Sequence, residues 1–367
     1  LATPTVCLSP ARSRVLFNQK NKKDNIHRPR AVVFMRDSPI VRDSQHTHTY
    51  MGLGVVVAVQ SFAWLLHLVP LRAVAPLGRA LGRIVHALRP WRLRVLQSNL
   101  HLAAPVLPMR PRELVRAAYE HLGHALLLTL LPVSRWRGLR TEVLDATALH
   151  AFVADCAAGG VLVCSAHIGV WELLPAVLSS YTPDTARRHG WLVYRPLHNR
   201  LLDGWLRRRR TRAACMALVQ SSGSLGTLRD ALGIGGLVGL LPDQRPSANG
   251  ASVSAVLLGQ PSEFSPGLGL LHAYTHAPVW FAALMADPAS PTTVRLHLQR
   301  LAARGPAACP SGSDSSALLV AAADDTGQVQ ATTTALMQTY ADAVSTLVRS
   351  APSQYLWFHR RWRIPLS

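Results

Sequence analysis

Lysine is missing from almost the whole chain. Its three copies, Lys20, Lys22 and Lys23, stand within four residues of one another, and every basic residue after Met51 is arginine. Acidic residues are scarce too, 19 against 39 basic ones in 367, which gives a formal net charge of +20. Charged residues make up only 16% of the sequence and hydrophobic ones 49%, a balance that excludes a disordered basic tail protein. The five cysteines (Cys7, Cys156, Cys164, Cys215, Cys309) are scattered, odd in number and without C-x-x-C spacing. That excludes a disulfide scaffold or a zinc ribbon and fits a reducing compartment. No G-x-S-x-G or H-E-x-x-H motif occurs, which speaks against a serine hydrolase or a zinc peptidase. No metal-ligand grouping is legible, and neither a metal nor a cofactor is expected.

The absence of lysine also marks a seam. The first 50 residues carry nine basic and three acidic groups, and the other 317 carry 30 and 16. The opening stretch has no helical or strand periodicity and begins with leucine. We expect residues 1–50 to be a disordered extension or an upstream mis-start, with Met51 as the start; a targeting peptide is the competing reading, but a cleavage-site pattern is missing.

From Gly52 to Leu71 no Asp, Glu, Lys or Arg appears. About 20 such residues at 1.5 Å rise match a hydrocarbon core of roughly 30 Å, so residues 51–71 are expected to form a spanning or inserted membrane helix. Residues 72–140 then hold 12 arginines against only Glu113 and Glu120. Arg72, Arg79 and Arg83 share one helical face, with Leu77, Leu81, Ile84 and Leu88 opposite, which suits a helix in the headgroup plane of an anionic membrane. With the arginine excess wholly C-terminal to the span, the positive-inside rule places residues 72–367 in the cytoplasm.

The body alternates two periodicities. Helices are expected over 110–131, 147–157, 171–179, 201–217, 267–276 and 331–349, and short apolar strands over 161–165, 191–194, 236–241, 253–258, 279–284 and 294–301. Alternating strands and helices argue for an α/β fold with a mixed, mostly covered sheet flanked by helices. Residues 302–330, rich in Ala, Gly, Ser and Asp, read as a loose insertion.

One stretch carries chemistry: Gly160-Val-Leu-Val-Cys-Ser-Ala-His167-Ile-Gly169-Val-Trp171-Glu172. A strand runs into His167, Gly169 permits a tight turn, and Glu172 opens a helix. Five residues apart on one regular helix, His167 and Glu172 would point about 140° apart. At a strand-to-helix turn the carboxylate can instead fold back onto the imidazole. His167 is then a general base, and Glu172 fixes its tautomer and stabilises the imidazolium.

Further along come Tyr194-Arg195-Pro196-Leu-His-Asn199, Leu241-Pro242-Asp243-Gln244 and Leu257-Leu-Gly259-Gln-Pro261. The chain closes on Gln354-Tyr355-Leu-Trp357-Phe-His359-Arg360-Arg361-Trp362-Arg363. In this order the set resembles the late acyltransferases of lipid A biosynthesis, of the lauroyl/myristoyl type, within the lysophospholipid acyltransferase-like superfamily. The resemblance covers roughly residues 51–365, and its H-x4-E, Asp-Gln and C-terminal signatures are specific in combination. Two positions depart from the family pattern. Val170 replaces an Asn beside the base, and Leu257-Leu258-Gly259 replaces Phe-Phe-Gly.

The resemblance implies transfer of a fatty acyl chain from an acyl-carrier-protein thioester to a hydroxyl of a phosphorylated lipid A precursor, at the cytoplasmic face of the bacterial inner membrane. The backbone around Gly169 is then the candidate oxyanion donor. Arg195 binds phosphate or the carrier's pantetheine, or makes a structural ion pair. Asp243 and Gln244 orient polar groups of the substrate or brace the catalytic turn, and Asn199 is a weaker candidate of the same kind. Arg360 and Arg361 clamp acceptor phosphates bidentately or belong to a solvated tail. Because both ligands are acidic, the arginine content needs no nucleic acid, and the run Arg207–Arg212 lacks interleaved aromatics for base stacking. The alternatives are an acyl-CoA-dependent acyltransferase acting on another membrane glycolipid or lysophospholipid, and a non-catalytic membrane lipid-binding homologue.

Overall fold

The computed structural model describes residues 44–88, 92–197, 199–221, 223–247, 250–305 and 326–362. Of the expected N-terminal extension, residues 1–43 lie outside the described residues, as do residues 306–325 of the expected insertion.

The uncharged stretch 52–71 does not form one helix. Helix α1 (Ser44–Leu65) ends within it, residues 66–69 turn, and Pro70 precedes α2 (Leu71–Ala87). Proline has no N–H with which to prolong a helix, yet its φ of −56° suits the start of the next. Only Gly52–Leu65 of the stretch is helical within α1, roughly 21 Å of rise, and α1 begins on the polar run Ser44-Gln-His-Thr-His-Thr-Tyr50. Among the described residues no helix is long and apolar enough to cross a membrane. This corrects the expected spanning helix.

α2 packs on the protein by its small residues. Leu77, Ile84 and the adjoining Leu88 stay outside at 48%, 55% and 77% exposure, while Leu71 and Leu81 pack partly buried against the core. Val74, Ala75, Gly78 and Gly82 are buried instead, against α4 (Pro111–Leu130). The two backbones approach so closely that a Cβ on Gly82 would stand 2.1 Å from the Tyr119 carbonyl oxygen, and one on Gly123 2.2 Å from that of Gly78. Small residues four apart permit such a crossing.

The remaining elements follow in chain order. After α3 (Leu93–Ala103), α4 and α5 (Val133–Trp136) come β1 (Arg140–Val143), α6 (Ala146–Ala158), β2 (Val161–Cys164), α7 (Leu174–Ser179), α8 (Asp184–Arg188), β3 (Trp191–Tyr194) and α9 (Arg200–Ala214). Then come β4 (Ala217–Gln220), α10 (Leu225–Gly233), β5 (Leu237–Leu240), β6 (Val253–Leu257), β7 (Gln260–Phe264), α11 (Gly267–Thr275), β8 (Val279–Ala286), β9 (Thr293–Ala302) and α12 (Thr326–Ser350). Seven strands form one sheet in the order β1-β9-β8-β2-β5-β3-β4, parallel at every pairing except β8–β9. The architecture is therefore the expected mixed α/β one, with a mostly parallel sheet flanked by helices.

The central strands β2, β5 and β8 are buried at every position, as apolar runs covered on both faces must be. Alternation along β2 divides two cores: Leu162 and Cys164 join Phe281, Tyr340 and Trp357 on one side, while Val161 and Val163 join Phe152, Trp280 and Leu284 on the other. Strands β6 and β7 form a separate hairpin whose two-residue turn, Leu258-Gly259, has both φ values positive. The helix expected over 201–217 stops at Ala214, because Cys215 adopts a left-handed conformation (φ 55°) and releases the chain into β4.

Gly82→Ala should therefore destabilise the protein by about 1–3 kcal/mol or more, as overpacking does. Thermal unfolding checks this, and the expected result is a lower Tm.

Candidate active site

Strand register builds the site. β2 and β5 run parallel with Cys164 beside Leu240, and the Ser165 amide extends the ladder to the Leu240 carbonyl (3.0 Å). Three residues past each partner stand His167 and Asp243. They meet at the carboxyl ends of adjacent parallel strands, where α/β sheets place their ligands.

The Asp243 carboxylate holds His167 twice. Oδ1 lies 2.7 Å from the imidazole Nδ1, and Oδ2 accepts the His167 backbone N–H at 2.9 Å. With Nδ1 as the donor, Nε2 keeps its lone pair, and the Gln244 side-chain amide stands 3.2 Å from it. Asp243 is buried at 3% exposure, whereas the His167 side chain keeps 19%. Burial alone would lower the His167 pKa, but the charge and hydrogen bond of Asp243, with the charge of Glu172, raise it above its ordinary value. Burial likewise works against ionised Asp243, and the contacts from His167 with the charge of Arg361 overcome it, leaving that carboxyl below its usual range.

Glu172 is not the hydrogen-bond partner of the imidazole, which corrects the pairing expected from sequence. After the turn, its carboxylate faces α9 and takes a two-pronged grip from Arg210: Nε to Oε2 at 2.9 Å and Nη2 to Oε1 at 2.5 Å. Burial would raise the Glu172 pKa, but Arg210 holds it below its ordinary value. The physical reason is register: it seats Asp243 on Nδ1 first. Glu172 then acts on His167 through its charge.

Gly169 is fixed by space and by conformation. Its φ is +63°, and a Cβ would stand 2.1 Å from the Leu284 carbonyl oxygen. Its N–H donates to the Gln354 carbonyl (2.9 Å), and its own carbonyl lies 3.0 Å from His121 Nε2 of α4. Burial brings His121 down to about 4, so the ring is neutral. The amides of His167, Ile168 and Val170 are also engaged, by Asp243, Ala166 and Leu284. The backbone around Gly169 up to Val170 thus has no donor left for an oxyanion, a second correction.

The C-terminal segment straps this turn. Leu356 donates to the His167 carbonyl (2.9 Å), Ile168 bridges Tyr355, and the Gln354 side chain pairs both ways with Ala286. Asn99 of α3 fixes the strap through the carbonyls of Trp357 and His359, at 2.7 Å each.

A family model for bacterial lipid A biosynthesis acyltransferases matches residues 42–364. The chain belongs to that family. It is an acyltransferase of lipid A biosynthesis, and no curated protein was found to match it.

In this acyltransferase the other residues singled out in the sequence scatter. Arg195 is exposed beyond β3. Asn199 caps α9, its Oδ1 accepting the Leu201 and Leu202 amides at 3.0 and 3.1 Å. Arg360 is exposed, but Arg361 is buried at 3%. Arg361 donates Nη1 to the Glu263 carbonyl (2.7 Å) and stacks 4.1 Å above Phe264, so it is no solvent-facing phosphate clamp. Its burial in the apolar core follows from the strap that carries it. Sequence reasoning missed Arg210 and His121, whose roles depend on contacts across 38 and 48 residues that no local pattern announces.

Val170 is buried at 1% among Leu173, Leu174 and Leu284. Its side chain belongs to the apolar layer rather than to the space beside the His167 imidazole. Val170→Asn should therefore cost about 1–3 kcal/mol by burying an amide, read as a lower denaturation midpoint.

Proposed function

We propose that the acyltransferase moves a fatty acyl chain from an acyl-carrier-protein thioester to a hydroxyl of a phosphorylated lipid A precursor, with His167 as general base and Asp243 as its positioning residue. The observation that carries this reading is the double contact of Asp243 with His167, which leaves Nε2 as the basic nitrogen at the strand ends.

An acceptor hydroxyl has a pKa far above neutrality and needs a base to attack. Nε2 takes its proton while the oxygen bonds to the thioester carbonyl carbon. The imidazolium formed is stabilised by Asp243 and by the charge of Glu172. When the tetrahedral intermediate collapses, the C–S bond breaks and the thiolate recovers the proton. Gln244 occupies the reacting position beside Nε2, so its amide is the candidate donor to the acceptor oxygen or to the oxyanion. No covalent enzyme intermediate is required.

On this proposal the reaction takes place at the cytoplasmic face of the bacterial inner membrane. Exposed Trp64, Leu68, Leu77, Ile84 and Leu88 near Arg72, Arg79 and Arg83 support an association in the plane of the membrane.

Incubation of the protein with acyl-carrier-protein donor and tetraacylated lipid A precursor tests the reaction. The acceptor mass should rise by one acyl chain, and no transfer with any chain length contradicts the proposal. His167→Ala should lower the rate by about 10²–10⁴-fold.

The pH profile tests the roles. The base must be neutral to act and its pKa is raised, so the acid limb of kcat/KM should lie above pH about 6.5. Asp243→Asn removes a charge that raises this pKa, so the limb should move to lower pH while the plateau falls. An unmoved limb contradicts the assignment.

A further inference from the structure

Helical geometry divides the arginines of α9 into two groups. At 100° per residue, Arg209 and Arg210 project to one side, whereas Arg207, Arg208 and Arg212 fall with Leu201, Gly204 and Thr211 on the other. The first pair is engaged. Arg210 grips Glu172, and the Arg209 guanidinium lies 4.8 Å from the Trp136 ring and 5.4 Å from that of Trp205.

The second group faces out. Arg207, Arg208, Thr211, Arg212 and Gly204 line a cavity of about 350 Å³. Arg207 lies 5.5 Å from the Tyr194 ring, and Arg208 folds back over Gly204, where a Cβ would stand 3.5 Å from its Nη1. Among the described residues none of these three arginines has a carboxylate within ion-pair distance. Asp203, the one acidic residue of α9, is bound instead to the Leu197 amide (2.9 Å). Arg208 and Arg212, four residues apart, repel each other and weaken the helix. Gly204 inside the helix costs a further fraction of its stability. Both features disfavour α9 alone and suit an anionic partner laid along it.

We propose that this outward face of α9 docks an acidic helix of the protein that carries the acyl donor; the inference rests on the carrier-protein reading of the donor. The face extends from Leu201 to Arg212, about 17 Å of rise, a length suited to another helix. Its arginines supply charge complementarity, and Leu201, at 42% exposure, gives it an apolar end. A lipid surface fits less well. Interfacial binding needs an apolar face beneath the cations, and the run of exposed apolar side chains lies on α1, α2 and the turn between them. The opposite side of the same helix touches the catalytic turn through Arg210. A docked carrier would therefore stand about one helix diameter, ~10 Å, from that turn, within reach of a flexible thioester arm.

The test is the triple variant Arg207→Glu, Arg208→Glu, Arg212→Glu, with circular dichroism and Tm confirming its fold. Its KM for a carrier-linked acyl donor should rise about tenfold or more, with steeper salt dependence in the parent than in the variant. Its kcat at saturating donor, and its transfer from a small-molecule thioester of the same acyl chain, should not change. Direct binding of holo-acyl carrier protein to the His167→Ala protein should also disappear when the three charges are reversed. An unchanged KM with carrier-linked donor overturns the proposal, as does equal loss with both donors. So does loss of binding to phosphatidylglycerol vesicles with carrier binding intact, since the face would then belong to the membrane. Carrier binding is read without turnover, so docking without transfer refutes the reaction alone, and transfer without arginine-dependent docking refutes this surface alone.

Discussion

Two oxygen atoms of one buried carboxylate set the active centre. Asp243 accepts the amide and the imidazole of His167 together, and both bonds depend on β2 and β5 ending side by side in parallel register. A carboxylate this deeply buried is costly unless it is hydrogen-bonded and paired, and His167 meets both conditions. Shifting either strand by one residue would reverse which face its side chains occupy and dismantle the pair. The apolar runs of β2, β5 and β8 therefore do more than fill the core. They fix the relative height of His167 and Asp243, which stand 76 residues apart in the chain.

Around this pair the protein layers further constraints. The close approach of Leu284 leaves room only for glycine at position 169, and the C-terminal strap closes over the turn through Gln354, Tyr355 and Leu356. The conspicuous C-terminal run of aromatic and basic residues thus holds the turn that carries His167. Arg361 lies within that strap, and its charge, together with His167, favours the ionised form of Asp243. On the opposite flank Arg210 restrains the turn by gripping Glu172.

Much of the fold was legible because buried strands and amphipathic helices leave local periodic signals. The runs at Val161–Cys164, Trp191–Tyr194 and Leu237–Leu240 read as strands and are strands. Strands β1, β4 and β7 escaped notice: Arg140–Val143 and Gln260–Phe264 are polar and only partly buried, and Ala217–Gln220 is a four-residue edge strand that follows the arginine helix almost directly. The uncharged stretch after Met51 misled for a different reason: hydropathy registered the apolar residues but gave Pro70 too little weight. At the active centre His167, Asp243 and Gln244 all stood out in the sequence, yet the pairing among them did not. Proximity along the chain favoured Glu172, whereas the partner is chosen by strand register, which becomes visible only once the order of the sheet is known. The arginine run of α9 likewise read as one basic patch, while the helix turns it into two faces with different neighbours.

The most direct test of the central pairing is the tautomeric state of His167, read by two-bond ¹H–¹⁵N NMR correlation, with His167→Ala identifying the signal. Above its pKa the neutral ring should carry its proton on Nδ1. That tautomer should survive Glu172→Gln and be lost or mixed in Asp243→Asn. Loss of the Nδ1–H tautomer in Glu172→Gln, with Asp243→Asn unaffected, would contradict the account.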